Sequence, residues 1–330
     1  MPGELDHESG LKLIRQLRDF DEPYPALLLT GGDPLMRPDI IDLLKYAKGL
    51  NIYTAVAASV TPLLSPEMLA QMRELDVDII SVSLDGASPE THDGIRGVRG
   101  TWSATIRAVQ NAKSCGLRAQ VNTTVMRSNL RELADIFHLV KGAGSVAWEV
   151  FFLVRTGRGT SLEDPEPAEC EEVMHFLYDA TQYGIPVRTS EGPQFRRVYL
   201  QRQNGARPPT GELYAHLADR LRSLEGPAVN PPSLRLNATG DGRGVIFVGY
   251  DGEVYPSGFL PVSLGNVQTE SLKKIYASHP TLVGLRNPER LRGNCGNCEY
   301  DTVCGGSRSR AYAEYSDMFQ GDPACPYIPA

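Results

Sequence analysis

A parallel α/β fold followed by a small cysteine-bearing domain is what the sequence predicts, on three observations. Short segments rich in apolar and β-branched residues alternate with amphipathic helical stretches up to about residue 185. The composition then turns rich in Pro, Gly and Asn between 186 and 240, and four of the six cysteines fall after residue 294. Alternation of this kind means βα units and a parallel sheet buried on both faces.

The helices are expected at 8–20, 38–49, 66–74, 101–115, 130–141 and 169–183. Between them lie the strands 26–30 (ALLLT), 51–57 (NIYTAVA), 77–84 (VDIISVSL), 117–125 (LRAQVNTTV) and 146–154 (VAWEVFFLV), short and β-branched or aromatic. Six helices against five strands, with a helix first, leaves the front of the sheet one strand short. The stretches QRQNGARPPTGE and EGPAVNPPSL mark 186–240 as a connection or a segment over an active site, holding one helix at 211–225. GVIFVGYDGEVYPSG then reads as a hairpin turning at Tyr250-Asp251-Gly252, where Asp-Gly suits a tight turn.

Composition excludes several classes. A net charge of −7 without clustered Lys and Arg disfavours nucleic acid and anionic membrane as partners. No apolar run approaches the roughly 18–20 residues that span a bilayer. Scarce cysteines and no apolar leader point to a reducing, cytoplasmic setting and a small-molecule or peptide substrate.

Cys295, Cys298, Cys304 and Cys325 are separated by two, five and twenty residues. Three on one tight loop, with a fourth returning after a helix-length excursion, is how four-thiolate sites are built. Two disulfides or four unrelated thiols are the plain alternatives, and zinc is the chief rival to an iron–sulfur cluster. Cys115 and Cys170 stand alone.

Thr30-Gly31-Gly32-Asp33-Pro34 directly follows a strand, where glycines admit a ligand to the backbone and Asp33 offers a carboxylate to an ammonium group. Taken alone it reads first as an ordinary βα turn. Ser83-Leu84-Asp85-Gly86 ends another strand and puts a hydroxyl and a carboxylate on the same C-terminal rim, where parallel α/β folds bind ligands.

Together GGDP, SLDG, His92-Asp93-Gly94-Ile95-Arg96-Gly97 and the C-terminal cysteines resemble a radical S-adenosylmethionine (SAM) enzyme with a SPASM or twitch extension, over residues 4 to 328. The resemblance implies a partial (β/α)6 TIM-like barrel lacking its first strand over 1–185. A connecting segment over 186–240 and a small α+β iron–sulfur domain over 241–330 follow. It places Gly31, Gly32 and Asp33 at the SAM amino group, and Ser83 and Asp85 at its ribose or carboxylate. Ser59, Asn122 and Val154 match rim positions near SAM.

Departures from the pattern shape the expectation. The CxxxCxxC motif that holds the catalytic 4Fe-4S cluster does not occur in the sequence, so the chain reads as shortened and unable to cleave SAM as it stands. A full SPASM domain holds two auxiliary clusters, but Ser257 and Ser307 stand where further cysteines belong. The resemblance therefore leaves one auxiliary 4Fe-4S cluster, ligated by Cys295, Cys298, Cys304 and Cys325 and suited to electron transfer. The tail CGGSRSRAYAEYSDMFQGDPACPYIP is most similar to the alternative haem and haem d1 branch. This implies a tetrapyrrole substrate, with Arg308 and Arg310 as partners for propionates, and an electron donor such as flavodoxin or ferredoxin. The alternatives are maturation of a ribosomally made peptide, or a non-catalytic iron–sulfur or zinc module. Arg308 and Arg310 read equally as part of a surface helix, His92-Asp93 as structural, and Asn122-Thr-Thr and Asn237-Ala-Thr as chance glycosylation patterns.

Overall fold

In the computed structural model, residues 3–157, 162–234, 236 and 239–329 are described. Asn237 and Ala238 lie outside them.

Six strands form one parallel sheet in chain order: β1 (Leu27–Leu29), β2 (Thr54–Ala57), β3 (Ile79–Ser83), β4 (Ala119–Val125), β5 (Ala147–Phe152) and β6 (Val187–Ser190). The crossover helices start where the sequence signals a start. Ser65-Pro66 and Ser88-Pro89 open Pro66–Glu74 and Pro89–Arg96, each serine accepting from an amide three residues on. Gly144, at φ 92°, ends Leu133–Ala143.

Burial along the strands alternates. Val56, Ile80, Val82, Val121, Trp148 and Val150 point outward into the helices and are at most 1% exposed. Trp148 sits edge-on to Phe137 at 5.6 Å and to Phe176 at 6.4 Å. Each such side chain stabilises the fold by about 1.5–3 kcal/mol. The opposite face carries Ser83, Gln120, Asn122, Thr124, Glu149, Arg188 and Ser190, all half-buried or exposed. Burial of both faces was expected. The sheet instead curls into a half-barrel, and its inner face is polar and only partly buried.

The sequence also placed the end of the sheet too early. Val187–Ser190 pairs with β5, Glu149 opposite Arg188, so the sheet passes residue 185. Residues 186–225 are not a bare connection either. Phe195 and Val198 of the helix Gln194–Gln203, and Leu213, Leu217 and Leu221 of the helix Glu212–Glu225, belong to the barrel core. Val187-Arg-Thr-Ser is too short and too polar on one face to register as a strand by pattern.

The C-terminal part builds a three-stranded antiparallel sheet from β7 (Phe247–Val248), β8 (Glu253–Tyr255) and β9 (Gly265–Asn266), turning near Gly252. A second core unites it with the front of the chain. Leu5, Ile14 and Leu17 pack with Leu43, Val254, Leu264, Ile275 and Leu282. The amide of Leu5 donates to Tyr250 at 2.8 Å, and Gln16 receives the amide of Leu272 at 2.7 Å.

Candidate functional site

The loop after β1 carries Gly31, Gly32 and Asp33. Gly31 has φ 141°, and nothing lies within 4 Å of where a Cβ would project from either glycine. That leaves backbone open to a ligand. Two side chains from the loop after β2 brace it: the Ser59 hydroxyl donates to the Gly32 carbonyl at 2.8 Å, and Thr61 donates to Asp33 Oδ2 at 3.0 Å. Asp33 Oδ1 also accepts from the Leu35 amide at 3.2 Å, which fixes the carboxylate at the rim.

Asp85 departs from its expected place. Its side chain is 2% exposed, Oδ1 accepts from the Thr124 amide at 2.8 Å, and Oδ2 pairs with Arg96. The carboxylate ties β3 to β4 and presents Arg96, which is partly exposed, to the rim. A ligand would have to displace these bonds to reach Asp85. His92 is buried and its Nδ1 accepts from the Asp85 amide at 2.9 Å. Burial pushes its pKa down, so it sits neutral and structural. Ser83 ends β3 level with Asn122, whose Oδ1 accepts from Gln120 at 2.9 Å. Val154 is 5% exposed, leaving mainly its backbone for contact.

The four C-terminal cysteines are free thiols, and each sulfur meets a backbone amide. Asp322 N–H lies 3.4 Å from Cys295 Sγ, and the amides of Tyr300, Gly306 and Tyr327 bond Cys298, Cys304 and Cys325. Arg308 Nη2 stands 3.5 Å from Cys295 Sγ and Arg197 Nη2 4.0 Å from Cys325 Sγ. Burial pushes the thiol of Cys304 up to about 12 and that of Cys325 up to about 11. A metal must therefore take the place of the protons for these groups to be thiolates at neutral pH. Amide donors on every sulfur and cations nearby are what a thiolate-ligated cluster uses.

Among the described residues no three or more His, Cys, Asp or Glu side chains converge closely enough to hold one metal ion.

Gly306 holds the loop together. It has φ 65°, and a Cβ there would lie 2.9 Å from Cys295 Sγ and against the Arg308 guanidinium. Only glycine fits both demands.

Arg308 and Arg310 are neither surface residues nor free for a substrate. Arg308 is 5% exposed and donates to the carbonyls of Met318 at 2.9 Å and Gln320 at 2.6 Å. Arg310 is 7% exposed, forks onto Asp322 at 2.8 and 3.1 Å, and reaches Leu153 and Glu191 carbonyls. Both organise the cysteine loop and dock it on the barrel.

Around Ser307 lies a buried polar network. Its hydroxyl donates to Glu191, its amide to Asp322 at 2.7 Å, and Ser257 approaches Ser309 at 3.3 Å. Asp241 receives the amide and hydroxyl of Ser309 at 2.8 and 2.7 Å. Burial, aided by nearby Asp241, pushes Glu191 up to about 8.

Sequence reasoning missed Thr61, Arg96, Glu149, Arg188, Arg197 and Asp322. Arg96 and Asp322 had a signal, since each lies inside a motif already singled out, HDGIRG and the GDPAC before Cys325. Arg188 and Arg197 had none, because their neighbours come from distant parts of the chain.

Comparison with known proteins agrees with this geometry. Residues 1–140 match the radical SAM superfamily, and 241–299 match SPASM, an iron-sulfur cluster-binding domain. The AdoMet-dependent heme synthase of Methanosarcina barkeri is 33% identical over 328 residues, covering 99% of this chain and 89% of that protein. The pre-heme d1 synthase of Dinoroseobacter shibae is 28% identical, covering 98% and 79%. The mycofactocin maturase MftC of Mycobacterium tuberculosis strain H37Rv is 27% identical, covering 98% and 76%. Among solved structures, native anSMEcpe with bound AdoMet superposes with a TM-score of 0.68 at 16% identity, over 97% of this chain and 85% of that one. That likeness shows the fold.

Proposed function

Because the chain belongs to the radical SAM superfamily and ends in an iron–sulfur SPASM domain, we propose that it acts on a tetrapyrrole in haem formation. The observation that carries this reading is the end-to-end likeness to haem synthases at 32–33% identity, against 27–28% for the peptide maturases. The maturase reading is the weaker one.

In this reading Gly31, Gly32 and Asp33 hold the ammonium group of SAM, with Ser59 and Thr61 fixing the loop. Ser83, Asn122 and Val154 line the remainder of the cofactor, and Arg96, set by Asp85, supplies the cation its carboxylate needs. Cys295, Cys298, Cys304 and Cys325 hold one auxiliary 4Fe-4S cluster. When bound, that cluster supplies one-electron transfer, and four protein ligands leave it no open iron for substrate. The remaining cysteines do not form a second site: Cys115 bonds the Ala112 carbonyl at 3.2 Å, and Cys170 is buried under the barrel. The CxxxCxxC motif that would hold the radical-generating cluster does not occur in these 330 residues. A flavodoxin or ferredoxin as electron donor and a cytoplasmic setting belong to the same reading. No helix among the described residues is long and apolar enough to cross a membrane.

The test is anaerobic reconstitution with iron and sulfide. About four of each per chain are expected, together with SAM binding that Asp33→Ala abolishes. Stoichiometric zinc in place of iron, or SAM binding indifferent to Asp33, overturns it.

A further inference from the structure

The inner face of the half-barrel carries a guanidinium that makes no hydrogen bond or close ion pair among the described residues, although its charge acts on Glu149 across the strand. Val187 of β6 is 2% exposed and packs outward, so Arg188 projects from the inner face and is exposed. Among the described residues Arg188 has no hydrogen-bond or ion-pair partner. It stands on a row that crosses three strands, opposite Glu149, which stands opposite Asn122. Ser190 donates to Glu149 at 2.9 Å and Gln120 to Asn122 at 2.9 Å, so the row is fixed before a ligand arrives.

One wall of the half-barrel is aromatic. Phe151, also on the inner face, meets Phe259 edge-on at 6.3 Å. Gly258 packs beside Phe247, which meets Tyr255 at 6.3 Å. All four rings are half-exposed. An aromatic wall beside a polar row whose guanidinium donors are unbonded complements an amphipathic ligand, broad and aromatic in its body and anionic at its rim.

We propose that Arg188 binds a peripheral carboxylate of the tetrapyrrole, with its ring against Phe151 and Phe259. The assignment rests on the tetrapyrrole reading and replaces Arg308 and Arg310, whose donors are taken. Guanidinium pairs with carboxylate through two parallel bonds, and the ring gains by burying its face against the phenyl edges. Burial holds the Glu149 carboxyl up, partly offset by the Ser190 hydroxyl and the charge of Arg188.

The experiment titrates iron coproporphyrin III, which bears four carboxylates, and its tetramethyl ester into the full chain, reading porphyrin absorbance. Arg188→Ala should weaken the acid by about tenfold or more and leave the ester unchanged, with Arg188→Lys between. Phe259→Ala should weaken both. Arg188 is exposed, and an unchanged circular dichroism spectrum establishes that its variants fold. Equal affinity of the wild type and Arg188→Ala for the acid overturns the Arg188 assignment alone. Failure of the wild type to bind either porphyrin overturns the tetrapyrrole reading with it.

Discussion

At the residue scale, ionisable groups deep in the protein divide into those the fold has paired and those it keeps neutral. Asp322 belongs to the first kind. Burial alone would raise its carboxyl, but Arg310 and the Ser307 amide outweigh it and hold it below the usual carboxylate range. Asp322→Asn leaves Arg310 buried without a counter-charge and is expected to destabilise by about 3–5 kcal/mol, read as a fall in midpoint denaturant concentration. Glu191 is the second kind. With a folded pKa near 8 against an ordinary 4.5, the native state keeps a proton that the unfolded chain releases. Stability therefore falls between about pH 4.5 and 8 and is fully present only below that window. Glu191→Gln should match wild type near pH 4 and exceed it by more than about 1 kcal/mol at pH 9. A Tm difference independent of pH would refute this.

At the scale of elements, the helix Gln194–Gln203 joins barrel to cluster domain. Its Arg197 forks onto Glu171 at 2.8 and 2.5 Å, lies over the Tyr327 ring at 4.7 Å and reaches Cys325. Against the effect of burial, His175 and Arg197 hold Glu171 down at about 2. That contribution is complete above the unfolded pKa and disappears as the pH drops toward 2. Arg197→Met should reduce this acid-range slope, leaving the share that His175 supplies, and, after reconstitution, shift the cluster's midpoint potential downward in an electron paramagnetic resonance titration. An unchanged potential would show that Arg197 only supports the fold.

This helix also marks where the sequence stopped being legible. The barrel helices and five strands show as periodic runs, because each strand has an apolar outer face and some helices open on a capping signal such as Ser65-Pro66. Gln194–Gln203 lacks both, since its buried residues include Gln194, Arg196 and Arg197, whose burial depends on partners far along the chain. The cysteines and GGDP were readable because spacing alone carries their chemistry. The direction of Asp85, Arg308 and Arg310 was not, because a charged residue in a motif gives no sign of whether it faces a ligand or a partner within the fold.

At the scale of the whole molecule, the core formed by Leu5, Ile14 and Leu17 with Val254 and Leu282 makes the two domains one structure. Ile14→Ala, at a position 2% exposed, should cost about 2–5 kcal/mol and lower the melting of both domains together in calorimetry. Two separated transitions would refute that coupling.

The sheet never closes: β1 and β6 are its two ends and do not pair. A closed barrel fixes the diameter of whatever enters, since every strand is bonded on both sides. An arc does not, and here the loop that carries Phe259 lies against Phe151 on its inner face. Substrate size in this architecture is thus shared between the strands and that loop, so exchanging residues 256–262 should alter which substrates fit while leaving the SAM rim as it is.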